Sequence, residues 1–153
     1  MNNYNLTKST IRDVIFGKNC KIIDPVNLYE CKIDDDVFIG PFVEITVGVK
    51  IGKKTRIQSH SFICELVSIG ESCFIGHGVM FTNDLFKTGK QGGSKKNWFP
   101  TNIGNNVLIG SNSTILPVNI CDGAVIGAGS VVTKNINKKG IYAGNPAKLL
   151  RLL

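Results

Sequence analysis

The sequence predicts an all-β solenoid, one domain of short strands stacked into coils, and three observations predict it. A large apolar residue recurs at every sixth position, from Ile33 through Ile39, Ile45, Ile51, Ile57, Ile63, Ile69 and Ile75 to Phe81, without a slip. Four places after each lies a small or β-branched residue: Val37, Val43, Val49, Thr55, Ser61, Val67, Cys73 and Val79, with Leu85 closing the row. Glycine often follows the apolar residue directly, as at Gly40, Gly52, Gly70 and Gly76. A period of six fits neither a helix, which repeats its face at about 3.6 residues, nor a continuous strand, which repeats at 2. It fits a short strand and a tight corner, repeated. Gly, Asp, Asn, Lys and Ser fill the three places after the apolar residue, and these types tolerate turns. Stacked coils bury one apolar column and pair each strand with those above and below, so the unit is stable only as an array.

From the N-terminus, Met1 to Ser9 is polar and lacks the apolar core of a secretion signal. Residues 1–32 read as a cap and an irregular first coil, because Ile15, Ile22, Leu28 and Ile33 are spaced seven, six and five. Pro25 suits a corner between two of these strands. Regular coils follow over 33–82. Residues 83–101 then carry no six-residue pattern, but hold four lysines and the only tryptophan, Trp98, next to Phe99. A loop of this length in an otherwise unbroken solenoid points to function, and adjacent large aromatics argue against disorder. The repeat resumes over 102–136, with Ile103, Ile109, Ile115, Ile120, Ile126 and Val132. The step from Ile115 to Ile120 is five, so one corner lacks a residue. In the tail, 137–153, the leucines after Pro146 predict a short C-terminal helix packed on the solenoid end.

Composition narrows the function. At 153 residues the chain can bury a sizeable core as one domain, and no apolar run approaches the roughly 18 residues of a membrane span. The five cysteines are odd in number and lack metal-ligand spacing. Cys73 sits on the inward small row, so they read as reduced small hydrophobes of a cytoplasmic protein. The net charge of +7 serves solubility or draws polyanionic ligands. Its cations are scattered singly or in pairs (Lys53-Lys54, Lys95-Lys96, Lys138-Lys139) without interleaved aromatics, which argues against nucleic acid as a partner.

The pattern resembles the hexapeptide-repeat acyltransferases over about residues 11 to 147. The resemblance implies a left-handed parallel β-helix of 18 residues per triangular coil, with one long excursion loop. "Ile-Gly-Ala-Gly-Ser-Val-Val-Thr-Lys" at 126–134 and "Gly-Asn-Pro-Ala-Lys" at 144–148 look like the branch that uses acyl-CoA. In that branch this end of the helix lines the coenzyme groove, which implies Gly110, Ser111, Gly127 and Ala128 along the pantetheine arm. Lys134 and Lys148 would suit the phosphates; alternatively, the small residues simply close corners. Acetyl-CoA is the implied co-substrate.

With 18 residues per coil, Val47, Glu65 and Asn83 stack on one corner and Ser59 and His77 on the next, with His60 one place past Ser59. Acyl transfer from a thioester needs a positioned nucleophile, a proton acceptor and an oxyanion donor. "His60-Ser-Phe-Ile-Cys-Glu65", "Phe-Ile-Gly-His77-Gly-Val-Met-Phe-Thr-Asn83-Asp84" and Trp98 resemble the N-acetyltransferases of nucleotide-linked 3-amino sugars, of the dTDP-3-amino-3,6-dideoxyhexose type, which serve surface polysaccharide synthesis. In that group the residues matching Glu65 and Asn83 sit beside the sugar's amino group. His77 is the candidate general base, reaching the pair from a neighbouring subunit of the implied homotrimer; alternatively, the departing CoA sulfur collects the proton. His60, Asp84 and Trp98 are candidate sugar contacts, with turn capping as the other reading of Asp84. The zinc-using branch of the resemblance needs three histidines across an interface, and this chain has two. No metal is therefore expected. A CoA-dependent acyltransferase with a hydroxyl acceptor or longer acyl donor, and a non-catalytic β-helix, remain the alternatives.

Overall fold

The inward column of isoleucines closes into three parallel sheets, which form the faces of a solenoid. This is a computed structural model of the chain, and it describes residues 10–90 and 97–153. The polar N-terminus and Lys95-Lys96 of the loop lie outside the described residues. Face one stacks β1 (Ile11–Arg12), β4 (Asn27–Tyr29), β7 (Glu44–Ile45), β10 (Phe62–Ile63), β13 (Met80–Phe81), β16 (Thr114–Ile115) and β19 (Val131–Val132). Face two stacks β2 (Ile15–Phe16), β5 (Lys32–Ile33), β8 (Lys50–Ile51), β11 (Val67–Ile69), β14 (Thr101–Ile103) and β17 (Asn119–Ile120). Face three stacks β3 (Lys21–Ile22), β6 (Phe38–Ile39), β9 (Arg56–Ile57), β12 (Phe74–Ile75), β15 (Leu108–Ile109), β18 (Val125–Ile126), β20 (Gly140–Ala143) and β21 (Lys148–Leu152).

The register confirms the six-residue pattern. Ile33, Ile51, Ile69, Ile103 and Ile120 pair in one ladder, Ile39, Ile57, Ile75, Ile109 and Ile126 in another, and all are buried. The insertion between β13 and β14 leaves both ladders unbroken, and the missing residue shortens the next coil to a step of 17, as between Asn102 and Asn119. The inward small row accepts hydroxyls because they bond the carbonyls of corner residues. Thr55 Oγ1 donates to Gly70 O at 2.8 Å, and Ser61 Oγ to Gly76 O at 2.9 Å. Each is thereby buried without an orphaned donor.

Corners use two different residues in two different ways. The residue three places after the apolar one turns left-handed, as at Asp36, Phe42, Lys54, His60, Leu66, Ser72, Asn106 and Asn112, with φ between 55° and 72°. The residue directly after the apolar one faces the next coil. Glycine dominates this place at two corners, as at Gly52 and Gly70 on one and Gly76 and Gly110 on the other. At the third corner, between faces one and two, the same place holds Thr46, Cys64, Thr82 and Leu116. That difference marks the site.

Two expectations are corrected. No α-helix forms among the described residues, and the tail after Pro146 is β21, antiparallel to β20. A segment this short cannot offset the cost of helix nucleation, whereas face three presents an open edge to pair with. The leucines expected to pack are largely exposed, with Leu150 at 66%. At the other end, Phe16 rather than Ile15 occupies the inward row. Phe16 pairs with Ile33, while Ile15 is 66% exposed. The steps from Phe16 to Ile22 and Leu28 are then regular, and only Leu28 to Ile33 is short by one.

All five cysteines are free thiols. Cys31, Cys64 and Cys73 are buried in the core, and burial pushes the first two up to about 11 and raises the third. A thiol raised in the folded state binds its proton more tightly there than in the unfolded chain, so its stabilisation is complete below the ordinary value of 9.0 and lost towards about 11. Melting temperature should therefore decline between about pH 9 and pH 11. A Cys31→Ala/Cys64→Ala/Cys73→Ala variant, measured by the same pH series, should show a shallower decline, keeping only what other groups such as the raised Tyr29 phenol contribute.

Candidate functional site

The corner between faces one and two, where the loop leaves, holds a cavity of about 390 Å³. Its walls are aromatic and aliphatic (Tyr29, Val47, Phe62, Phe81, Phe86 and Trp98), with Thr46, Cys64, Glu65, Thr82, Asn83 and Asp84 as the polar groups. The sequence builds this wall locally. Side-chain-bearing residues replace glycine directly after the inward apolar residue, so Thr46, Cys64 and Thr82 on successive coils project where backbone would otherwise lie against backbone. The loop then folds back, and Asp84 and Trp98 meet across an antiparallel bridge.

Glu65 and Asn83 come together as neighbours on adjacent coils. Asn83 Nδ2 donates to Glu65 O at 3.2 Å, and Asn83 O accepts from Phe99 N–H at 2.9 Å, so the asparagine ties the loop's return to the coil below it. Both residues are half-buried. Asp84 caps the turn that starts the loop, since its Oδ1 accepts from Phe86 N–H at 2.8 Å. It nevertheless lines the cavity beside Trp98. Lys87 Nζ lies 4.2 Å from the centre of the Phe99 ring, which fixes the outer edge of the loop.

His77 and His60 lie on a different corner, between faces three and one. His77 is exposed, and its Nδ1 lies 2.8 Å from Ser59 Oγ on the coil below. Its backbone N–H donates to Ser111 Oγ at 3.2 Å. Ser59 thus engages Nδ1, one of the two ring nitrogens. His60 stacks on Phe42, ring centres 4.7 Å apart. Within one chain, face one separates this corner from Glu65 and Asn83.

The remaining candidates divide in the same way. Gly110, Ser111, Gly127 and Ala128 continue the histidine corner on the next two coils. Lys148 pairs with Ala143, against which Gly127 packs, so it lies at the end of that corner. Lys134 does not join them; it follows Val132 and lies on the cavity's corner instead. Tyr29, Thr46, Phe62, Phe81 and Phe86 escaped the sequence reading as site residues. Their signal was available in the corner whose first place, directly after the inward apolar residue, holds no glycine. Among the described residues no group of three His, Cys, Asp or Glu side chains is arranged to hold a metal ion, and no helix is long and apolar enough to cross a membrane.

Burial raises the Tyr29 phenol above its ordinary value, and Glu44 adds to the rise; Arg12 and, more weakly, Thr46 Oγ1 pull it back. Tyr29 and Thr46 approach without the geometry of a hydrogen bond. Thr46 Oγ1 has no hydrogen-bond partner, the one such buried side-chain atom among the described residues.

Comparison with known proteins supports the fold. Residues 100–134 match the hexapeptide repeat of succinyl-transferase. The bifunctional protein GlmU of Streptococcus uberis is 33% identical over 95% of this chain and 34% of its own length. The chain thus spans about a third of the length of that curated relative. Among solved structures, the polysialic acid O-acetyltransferase OatWY superposes with a TM-score of 0.73 at 25% identity, covering 97% of this chain and 83% of that one. A hexapeptide-repeat acetyltransferase of Vibrio cholerae, solved with acetyl coenzyme A, gives a TM-score of 0.68 at 25% identity over 78% of this chain and 69% of that one.

Proposed function

Because this chain belongs to the hexapeptide-repeat family, we propose that it is an acetyl-CoA-dependent N-acetyltransferase of a nucleotide-linked 3-amino-3,6-dideoxy sugar, carried on dTDP. The observation that supports this reading most is the cavity at the loop corner. It pairs a carboxylate and a carboxamide, Glu65 and Asn83, against apolar walls. An amine suits the polar pair: Glu65 offers acceptor oxygens to its N–H groups, and Asn83, with an Nδ2 proton spent on Glu65 O, offers its amide oxygen. The apolar walls suit a deoxy sugar's methyl group and ring face.

In the proposed reaction the sugar nitrogen attacks the thioester carbonyl, the C–N bond forms and the C–S bond breaks. The products are the N-acetyl sugar and CoA thiol. His77 Nε2 takes the nitrogen's proton and passes it to the departing sulfur, or the sulfur collects it directly, and Ser59 holds the ring while the charge changes. Since face one keeps His77 away from its own chain's Glu65 and Asn83, the reading includes a homotrimer in which the histidine corner of one subunit faces the cavity of the next. Acetyl-CoA then lies along Gly110, Ser111, Gly127 and Ala128, where small residues leave backbone groups open to the pantetheine arm, with Lys148 near its phosphates. Acetyl-CoA and nucleotide sugars are cytoplasmic metabolites, which fits a cytoplasmic enzyme of polysaccharide precursor synthesis.

A hydroxyl acceptor is the second reading, favoured by the likeness to a polysialic acid O-acetyltransferase. One experiment separates them. Thiol release from acetyl-CoA is followed with dTDP-, UDP- and GDP-linked 3-amino and 4-amino sugars and with sialic acid oligomers. Release with a dTDP-linked 3-amino sugar supports the first reading; release confined to hydroxyl acceptors replaces it with the second.

A further inference from the structure

We infer that Thr46 is a specificity-determining residue, whose hydroxyl is kept unbonded in the free protein so that it can bond a polar group of the sugar. The inference deepens the proposed function and rests on the cavity being the acceptor site. Thr46 is 94% buried, its residue forms part of the cavity wall, and its oxygen has no hydrogen-bond partner. Every other inward Ser or Thr of the solenoid for which a bond is seen spends its hydroxyl on a corner carbonyl, as Thr55, Ser61, Thr101, Ser113 and Ser130 do. Thr46 is different in kind. It stands directly after an inward isoleucine, at the place where the two other corners favour glycine. A side chain here is a departure from the repeat, and valine or alanine would fill the space without leaving a polar atom sealed away from water.

An unsatisfied buried hydroxyl is destabilising, and it persists only where something recovers the loss. Threonine exchanges its methyl and hydroxyl by one rotation about Cα–Cβ, between two staggered positions. In the free protein the oxygen is sealed. With a sugar in the cavity, that rotation turns the hydroxyl to the cavity that Tyr29, Glu65 and Asn83 also line. A hydroxyl both donates and accepts, so the group it reads is a sugar hydroxyl or ring oxygen. The effect is greatest on which sugar is bound and least on how fast the acetyl group moves.

The test compares wild type with Thr46→Val and Thr46→Ser. Without ligand, Thr46→Val should melt at or above wild type, because it removes an unpaired buried oxygen and keeps the shape. With dTDP-3-amino-3,6-dideoxy-D-galactose as the probe, its acceptor KM should rise about tenfold, the loss of one hydrogen bond, while kcat and the KM for acetyl-CoA stay near wild type. Thr46→Ser should restore the acceptor KM. A Thr46→Val protein that melts several degrees below wild type would mean that the hydroxyl is bonded within the fold, to Tyr29, and overturns the inference. An unchanged acceptor KM overturns it equally. If wild type acetylates no amino sugar, the proposed function fails on its own. The threonine is then judged by the ligand-free melting comparison, which needs no acceptor, and by the KM for whichever hydroxyl sugar is acetylated.

Discussion

Asn83→Ala should lower kcat/KM for the amino sugar by roughly 10²- to 10³-fold while the protein remains folded and assembled. The size follows from two functions being lost together. The amide oxygen can accept from an amine, and its Nδ2 ties Asn83 to the Glu65 backbone on the coil below. Without it, Glu65 loses its tie to the Asn83 side chain, although the backbone bond from Phe99 N–H to Asn83 O remains, and small misplacements of reacting groups are costly in rate. The stability cost is much smaller. One side-chain hydrogen bond at a half-exposed site is worth on the order of 1 kcal/mol, which the ladder pairing of seven coils absorbs. Turnover, melting temperature and molecular mass in solution must therefore be measured together. A rate near wild type with intact mass removes Asn83 from the site, and a parallel fall of rate and melting temperature assigns it to structure alone.

The sequence told much about this corner and little about its interior. Stacking of residues 18 apart placed Asn83 over Glu65 and His77 over Ser59, and hydrogen bonds join both pairs. That inference works because a solenoid converts sequence separation into distance at a fixed rate, which no globular packing does. Where the repeat loses register the inference fails. Ile15 and Phe16 are adjacent large apolar residues, and six-residue counting cannot choose between them until the pairing with Lys32 and Ile33 is seen. Leu149, Leu150, Leu152 and Leu153 are compatible with one face of a helix or with a strand. The open edge of β20 decided the outcome. Thr46 and Tyr29 stayed hidden for another reason. Both lie on regular coils, where every polar residue looks like part of a solvated turn, and only the returning loop makes that surface a cavity.

The two classes of corner glycine give the sharpest test of this geometry, and they predict opposite results from similar substitutions. A Cβ at Gly110 falls on the backbone of Gly127 and Ala128 in the next coil. No side chain can move aside there, because the obstacle is main chain held by the ladder between β15 and β18. Gly110→Ala must push two coils apart, an overpacking cost of about 3 kcal/mol, and lower the melting temperature by roughly 6–12 °C. Gly129 differs. Its φ is 68°, and a Cβ built there meets nothing within 4 Å. Only conformation restricts it, and Asn112 already occupies the equivalent place one coil earlier with φ 57°. Gly129→Asn should therefore melt within a degree or two of wild type, since asparagine enters the left-handed region at little cost. Differential scanning calorimetry of the two variants decides the matter. Equal losses would mean that glycine serves turning alone at both places. A large loss at Gly110 with none at Gly129 would mean that this corner is kept bare by the approach of the next coil, which is also the bareness that a coenzyme lying against its backbone requires.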